Sequence, residues 1–148
     1  MKRILIFCLL LSVGWVCDAQ NYTQKYNNIL DRTEFYDDYG HMIGYAKKNT
    51  IFNRLEYYDA YGKLIKTEEY NTIMNRTETK SNTGNVRQTN SYNSIMERED
   101  IKDKYGNVIG YRKWNSILER YEVFDSYGTM IGYYKYNSIF DRWEYKEI

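Results

Sequence analysis

Residues 115–136 read NSILERYEVFDSYGTMIGYYKY, and close copies of this 22-residue stretch fill almost the whole chain. Asparagine opens every copy, and an isoleucine always follows two residues later. The copies begin at Asn27, Asn49, Asn71, Asn93, Asn115 and Asn137, without insertions. A fixed period of this length is typical of repeat architectures, in which each unit is one supersecondary element and neighbouring units share a core.

Each copy reads as strand, turn, strand. In the second copy, runs of β-branched and aromatic residues flank a turn that starts at Asp59 and ends at Gly62. Aspartate at the start and glycine at the end are typical of a type I turn closed by a positive-φ glycine, a common hairpin connection. The other turn starts at the asparagine, which can hydrogen-bond its own backbone. A solvated turn gains nothing from isoleucine, so we predict that these side chains stack together or fold over the sheet edge.

The pattern predicts an all-β protein: an elongated antiparallel meander of about six 22-residue hairpin repeats, either a single twisted sheet or an open curved sheet. A parallel solenoid is the alternative. In a solenoid, the arginine that recurs in every copy would lie about 4.8 Å from its equivalents and repel them, whereas a meander places another strand between them. The short Asp-x-Tyr-Gly connection also fits an antiparallel hairpin. We therefore favour the meander.

Alternation along the strands predicts a sheet with two different faces. An apolar tyrosine face would carry Leu55, Tyr57, Ile65 and Thr67 in the second copy. A salt-bridged face would carry Arg54, Glu56, Tyr58, Leu64, Lys66 and Glu68. The third copy, residues 71–92, has Ser81, Thr83, Arg87 and Thr89 where other copies have Asp, Tyr, Ile and mostly Tyr. Since it loses core residues, we expect this hairpin to be the least stable.

The first 19 residues have the features of a secretory signal peptide: two basic residues, an apolar core at 4–13 and the small residue Ala19. We expect an exported protein, in the periplasm, at the cell surface or outside the cell, whose mature part is a single repeat domain, residues 20–148. The apolar run is too short for a membrane span. Lipid modification of Cys17 is the alternative, which the bulky residues before it disfavour.

Both cysteines, Cys8 and Cys17, lie in the segment that would be removed. A mature chain without cysteine excludes disulfides, thiol nucleophiles and cysteine-ligated metals. Removing residues 1–19 also changes the formal net charge from +1 to 0. A neutral chain with interleaved signs has no long-range field to hold nucleic acid or an acidic membrane. We therefore predict no nucleic-acid partner.

Motifs for catalysis are lacking in the sequence. The one histidine, His41, follows a turn glycine, and no second ligand stands at a metal-binding spacing. Carboxylates recur with the repeat and so have near-equivalent surroundings, whereas a catalytic pair needs two different environments. No Ser-His-Asp set, phosphate-binding glycine loop or calcium loop is present. We predict a protein that is not an enzyme and has no cofactor or metal.

Aromatic residues are the feature with binding potential, because all 18 tyrosines lie in the mature part. Aromatic faces stack on sugar rings and form hot spots at protein interfaces, although they can also form the core of a thin sheet. We predict a binding surface for a glycan or a protein at Trp114, Tyr134, Tyr136, Trp143 and Tyr145. A second hypothesis is a structural element that self-assembles by pairing its open first and last strands with other chains.

The turn segments resemble the hairpin cores of two known repeat classes. They are Tyr36-Asp37-Asp38-Tyr39-Gly40, Tyr58-Asp59-Ala60-Tyr61-Gly62-Lys63-Leu64 and Phe124-Asp125-Ser126-Tyr127-Gly128. The classes are the tyrosine-aspartate repeat of bacterial Rhs-type proteins and the MORN-type repeat. The likeness covers about half of each unit, and the other half lacks the glycines of a MORN-type unit. The resemblance implies hairpin sheets that serve as shells, scaffolds or interaction surfaces, without a catalytic motif.

Overall fold

The computed structural model describes residues 21–148, which form twelve antiparallel strands closed into a barrel. The strands are β1 (Tyr22–Asn27), β2 (Arg32–Tyr36), β3 (Met42–Asn49), β4 (Arg54–Asp59), β5 (Leu64–Asn71), β6 (Arg76–Ser81), β7 (Val86–Asn93), β8 (Arg98–Asp103), β9 (Val108–Asn115), β10 (Arg120–Asp125), β11 (Met130–Asn137) and β12 (Arg142–Glu147). Each strand pairs with the next in the chain. The predicted signal peptide, with Cys8 and Cys17, lies outside the described residues.

The prediction of antiparallel hairpin repeats is confirmed, but the predicted open sheet is wrong. Tyr22 in β1 pairs with Tyr145 in β12, and Gln24 pairs with Trp143. The repeats alone supply six arginine-bearing strands and five returning strands, which would leave two free edges. Strand β1 takes the place of a sixth returning strand and closes the sheet. The open edges that the predicted strand-to-strand self-association required are therefore paired with each other.

The aspartate turns connect the strands at one end of the barrel, here called the glycine end. The backbone carbonyl of Asp59 accepts a hydrogen bond from Gly62 N–H at 3.1 Å. The Asp59 carboxylate accepts from the N–H groups of Tyr61 and Lys63, both at 2.9 Å. Gly62 has φ +84°, a conformation in which a side chain is strained. The turn is therefore the predicted one.

The asparagine turns connect the strands at the other end, here called the isoleucine end. Asn49 accepts hydrogen bonds from the N–H groups of Ile51 and Phe52 at 3.1 Å and donates to Glu56 at 3.0 Å. Its amide thus holds the turn, and the isoleucine is left pointing outward. All six turn isoleucines are 85–94% exposed, so the prediction that they stack or fold over the sheet edge is wrong.

A β-bulge sits beside each aspartate turn. Tyr57 pairs with Lys66 and Tyr58 pairs with Leu64, so that Ile65 is left over between them. The same shift occurs in the other four hairpins of this kind. A bulge bends its strand and increases the local twist. Repeated five times, it gives the sheet curvature that supports closure.

The bulge also changes which residues face inward. The predicted faces are correct for β4, where Leu55 and Tyr57 lie on one face of the sheet and Arg54 and Glu56 on the other. They are wrong for β5 beyond the bulge, because the extra residue shifts the alternation of inward and outward side chains by one position. Cross-strand pairing places Lys66 and Glu68 on the inner face and Thr67 on the outer face.

The core lies on the inner face. Its buried members are Tyr22, Phe35, Ala46, Tyr57, Ile101, Val123 and Tyr134. The Tyr22 and Tyr134 hydroxyls are hydrogen-bonded to each other at 2.7 Å, which satisfies both polar groups inside the barrel. The third copy contributes mainly polar residues to this face, namely Thr77, Thr79, Ser81, Gln88 and Asn90.

A ladder of ion pairs covers the outer face. Arg54 donates to Glu56 from Nη2 at 2.7 Å and from Nε at 2.9 Å, and the Tyr58 hydroxyl donates to the same carboxylate at 2.7 Å. The hydrogen bond from Tyr58, with those from Arg54 and Asn49, lowers the pKa of Glu56 below its ordinary value despite burial. In return, Glu56 raises the pKa of Tyr58 to about 12. The predicted salt-bridged face is therefore present.

Candidate functional site

The isoleucine end of the barrel has an aromatic opening. The residue that precedes each turn asparagine faces inward and lies at this end. Five of the six are aromatic, and together with a lysine they form what we call the mouth ring: Tyr26, Lys48, Tyr70, Tyr92, Trp114 and Tyr136. The five aromatic members are 36–69% exposed. These large side chains are thus accessible at one opening of the barrel.

Hydrogen bonds hold part of the mouth ring in place. The Tyr26 hydroxyl donates to Asp31, and the Tyr136 hydroxyl donates to Asp141, each in the turn that follows. Tyr70 donates to Asn75 in the same way. The hydrogen bond to Asp31 raises the pKa of Tyr26 above its ordinary value. The hydroxyls of these three tyrosines are therefore held by the turns.

The predicted binding residues all lie on one side of the barrel interior. They belong to a contiguous set of rings that we call the aromatic wall: Trp114, Tyr121, Tyr134, Tyr136, Trp143 and Tyr145. Ring centroids are 4.7 Å apart between Trp114 and Tyr121 and 5.5 Å apart between Tyr136 and Trp143. The deeper pair Tyr134 and Tyr145 is separated by 4.8 Å.

Exposure falls along the aromatic wall from the mouth inward. Trp114 is 45% exposed and Tyr136 is 36% exposed, whereas Tyr134 is 2% exposed. Trp143, which pairs with Tyr136, and Tyr145, which pairs with Tyr134, are both half-buried. The predicted residues thus have two roles in the structure: Trp114 and Tyr136 are accessible, and Tyr134 belongs to the core. The predicted open sheet would have left this face uncovered, whereas in the structure it lines the inside of a closed barrel.

Tyr121 and the distant members of the mouth ring were missed by sequence reasoning. Tyr121 contacts both tryptophans of the aromatic wall, with centroids 4.7 Å from Trp114 and 6.2 Å from Trp143. Tyr26 was missed because it is far from the C-terminus in sequence. The available signal was positional, since each member of the mouth ring immediately precedes a turn asparagine.

The opposite side of the interior is polar. Strands β5 to β9 contribute the inward-facing residues Lys66, Glu68, Gln88, Asn90, Glu99 and Arg112, which we call the polar wall. Lys66 lies 3.2 Å from Glu68, and Arg112 forms an ion pair with Glu99. Gln88 donates to Asn90 at 2.9 Å. Below the mouth ring, this side of the interior is therefore lined mainly by charged or amide groups, in contrast to the aromatic wall.

A ring of apolar side chains surrounds the mouth. It consists of the six turn isoleucines and the residue after each, and we call it the apolar crown: Ile29, Leu30, Ile51, Phe52, Ile73, Met74, Ile95, Met96, Ile117, Leu118, Ile139 and Phe140. The second residue of each pair is 44–63% exposed. Twelve exposed apolar side chains at one end of a barrel form a patch of the kind that marks an interaction site.

The described part of the chain provides little for metal chemistry. His41 is exposed at the glycine end, and its Nδ1 lies 3.2 Å from the Asp37 carboxylate. Residues 21–148 hold no group of three or more His, Cys, Asp or Glu side chains placed to bind a metal ion. They also contain no helix long and apolar enough to cross a membrane.

Comparison with known proteins yields a similar fold and no family. No family model matches the chain, and neither does any curated protein. A crystal structure of a protein from Arabidopsis thaliana is similar, with a TM-score of 0.62 over 86% of this chain and 80% of that one. The two sequences are 9% identical, so the similarity concerns the fold alone.

Proposed function

We propose that this protein is an exported, non-enzymatic binding protein whose barrel mouth holds a carbohydrate chain. The observation that carries the proposal is the division of the interior into an aromatic wall and a polar wall. Rings stack on the C–H faces of sugars, while charged and amide groups hydrogen-bond the hydroxyls. Sites for small ligands commonly combine apolar surface with a few placed polar groups in this way.

The gradient of exposure assigns different roles along the aromatic wall. Trp114 and Tyr136 make the first contacts with an entering sugar, because they are accessible at the mouth. Trp143 and Tyr121 lie behind them and support a second ring. Tyr134, which is 2% exposed, supports the other rings of the aromatic wall and does not contact the ligand. A protein partner would instead need a surface outside the barrel.

We expect Trp114→Ala to weaken retention of the mature protein on insoluble polysaccharide at least tenfold, a loss of about 1.4 kcal/mol. The reason is the loss of a stacking face at the opening. Retention would be measured on cellulose, chitin and peptidoglycan. Tyr61→Ala is the matched control, because Tyr61 is 97% exposed at the opposite end, and its retention should be unchanged. Unaltered retention of Trp114→Ala and Tyr136→Ala, or no retention of the wild type, would refute the proposal.

The apolar crown favours a second candidate function, self-assembly of two copies through their crowns. An interface between identical patches is the usual arrangement in homodimers. The twelve side chains of the apolar crown are roughly half to nine-tenths exposed and would form the apolar centre of such an interface, of which a standard example buries about 800 Å² per partner. Acidic turn residues and neighbouring lysines both occur at this end, among them Glu97, Glu119, Lys47 and Lys135, so its charge is not of one sign.

We expect sedimentation velocity to show a dimer that Ile73→Ser with Ile117→Ser converts to a monomer, because the double change removes two of the most exposed apolar side chains. Tyr105→Ser with Tyr127→Ser at the glycine end is the matched control and should leave the dimer intact. A wild-type monomer at every concentration would exclude crown pairing. Because the crown surrounds the mouth, a bound polysaccharide should also shift the dimer towards monomer.

A further inference from the structure

The outer face contains a recurring slot for a tyrosine ring. Tyr45 lies on the ring of Tyr58, with centroids 5.0 Å apart and planes inclined by 14°. From the preceding strand, the Arg32 guanidinium covers Tyr45 at 4.3 Å. The returning-strand tyrosine is therefore held between an aromatic ring on the next strand and an arginine on the previous one.

The arrangement recurs in the barrel. Tyr111 stacks on Phe124 with centroids 4.8 Å apart, and Arg98 covers it at 3.9 Å. Arg120 covers Tyr133 at 4.3 Å. The complete slot, with a stacking ring and an arginine, thus occurs in two copies, and Tyr133 has the arginine but pairs with Lys146 on the next strand.

A glycine at the next aspartate turn marks the hydroxyl end of the slot. The Tyr45 hydroxyl would lie 3.7 Å from a Cβ added at Gly62, and the Tyr111 hydroxyl would lie 3.6 Å from one added at Gly128. The phenol therefore reaches from the middle of its own strand to the turn beside it.

Strand β1 lies between β12 and β2, where the barrel closes, and we call this place the seam. The slot at the seam keeps the stacking ring and the arginine, but Thr23 stands at the position of Tyr45. Its cross-strand neighbours are Tyr36, which corresponds to Tyr58, and Glu144. Arg142 corresponds to Arg32. The stacking partner and the arginine are thus retained.

A cleft of about 650 Å³ lies at this position. Thr23, Tyr36, Gly40, Arg142 and Glu144 are among the residues that line it. Gly40 corresponds to Gly62, and among the described residues no atom lies within 4 Å of a Cβ added there. The space that Tyr45 and Tyr111 fill in their copies is therefore open at the seam.

The seam differs from the other two copies that have threonine at this position. Thr67 and Thr89 also replace the tyrosine, but the residues in place of Tyr58 are Lys80 and Lys102. Those copies lack the ring on which a ligand would stack. Within residues 21–148, the seam is the one slot that joins a threonine to an aromatic neighbour.

We infer that the seam slot binds a phenolic ring, which stacks on Tyr36 and directs its hydroxyl towards Gly40. Tyr36 is already fixed, because its own hydroxyl donates to Glu34 at 2.6 Å. Arg142 lies beside the slot and contacts the Phe140 ring at 4.8 Å, and its Nε is 3.1 Å from Glu144. The site is on the outer wall and is separate from the barrel mouth. Its ligand is either a small phenol or the tyrosyl side chain of a peptide.

The test is titration of the ¹⁵N-labelled mature protein with p-cresol, followed by two-dimensional NMR. We expect roughly millimolar affinity, as suits a ligand of eight heavy atoms, with the largest shifts at Thr23 and Gly40. The non-aromatic 4-methylcyclohexanol should cause no such shifts. Tighter binding of N-acetyltyrosine amide than of p-cresol would support a peptide ligand, and equal binding would support a small phenol.

Two variants distinguish binding in the slot from nonspecific binding of p-cresol to the protein. Thr23→Tyr introduces the side chain that Tyr45, Tyr111 and Tyr133 provide in their copies, so it should abolish p-cresol binding and raise the Tm of the barrel. Thr89→Tyr makes the same change beside Lys102 and should leave the p-cresol shifts unaltered. Absence of shifts at Thr23 and Gly40 in the wild type, or equal binding by Thr23→Tyr, would overturn the inference.

Discussion

Replacing Tyr57 by alanine should lower the free energy of unfolding by about 3–5 kcal/mol, the cost of removing a large ring from a packed core. Tyr57 is 1% exposed and stacks on Phe35 with centroids 6.3 Å apart. Its hydroxyl donates to Glu68 at 2.7 Å, and the Lys66 ammonium lies 4.2 Å from the ring centroid. One substitution therefore removes an aromatic contact, a hydrogen bond and a cation–π contact. Urea unfolding followed by circular dichroism measures the loss.

Two controls separate these contributions. Tyr57→Phe keeps the ring and should cost only about 1 kcal/mol, the typical value of one hydrogen bond. Tyr61→Ala removes a tyrosine that is 97% exposed and should leave stability within about 0.5 kcal/mol of the wild type. A loss of less than about 1 kcal/mol for Tyr57→Ala would show that the inner face is not the core.

Replacing Gly44 by alanine should destabilise the barrel by about 1–3 kcal/mol, the usual cost of overpacking. An added Cβ would lie 2.5 Å from the backbone oxygen of Tyr58. Because that atom belongs to the paired strand β4, it has no side-chain rotation by which to move away. The strands β3 and β4 would have to separate locally. Thermal unfolding and amide exchange of β3 and β4 measure the effect.

The equivalent positions in other copies supply the control. Gln88 occupies the place of Gly44 and already carries a side chain, so Gln88→Ala should cost about 1 kcal/mol or less, through the loss of its hydrogen bond to Asn90. Gly110→Ala should resemble Gly44→Ala, because its Cβ would lie 2.7 Å from the backbone oxygen of Phe124. If Gly44→Ala were as stable as the wild type, the strands could not be as close as the barrel requires.

Local features of the fold could be predicted from the sequence. Asp59 and Gly62 identify the aspartate turn because few other residues satisfy its hydrogen bonds and its positive φ. The recurring Arg54 and Glu56 identify the outer ladder because their side chains lie two residues apart on one face. These features depend on a few neighbouring residues, and the same residues recur in several copies of the repeat.

Closure could not be predicted in the same way. It results from twist and bulges summed over twelve strands, and each hairpin alone is compatible with an open sheet. The bulge residue Ile65 has no distinctive sequence signal, yet it moves Lys66 inward. For the same reason, the candidate site could be predicted only in part. Trp114 and Tyr136 were found as aromatic residues, but their grouping with Tyr26 needs the pairing of β1 with β12.

The distance between β1 and β12 tests the barrel most directly. Spin labels would be attached to cysteines introduced at Lys25 and Lys146, which are exposed, in a protein comprising residues 20–148, a segment without native cysteine. Double electron–electron resonance on the dilute protein should give a distance below about 25 Å, as expected for adjacent strands spaced about 4.8 Å apart. An open sheet would separate the same strands by eleven spacings, so a distance near 50 Å would contradict the closed barrel.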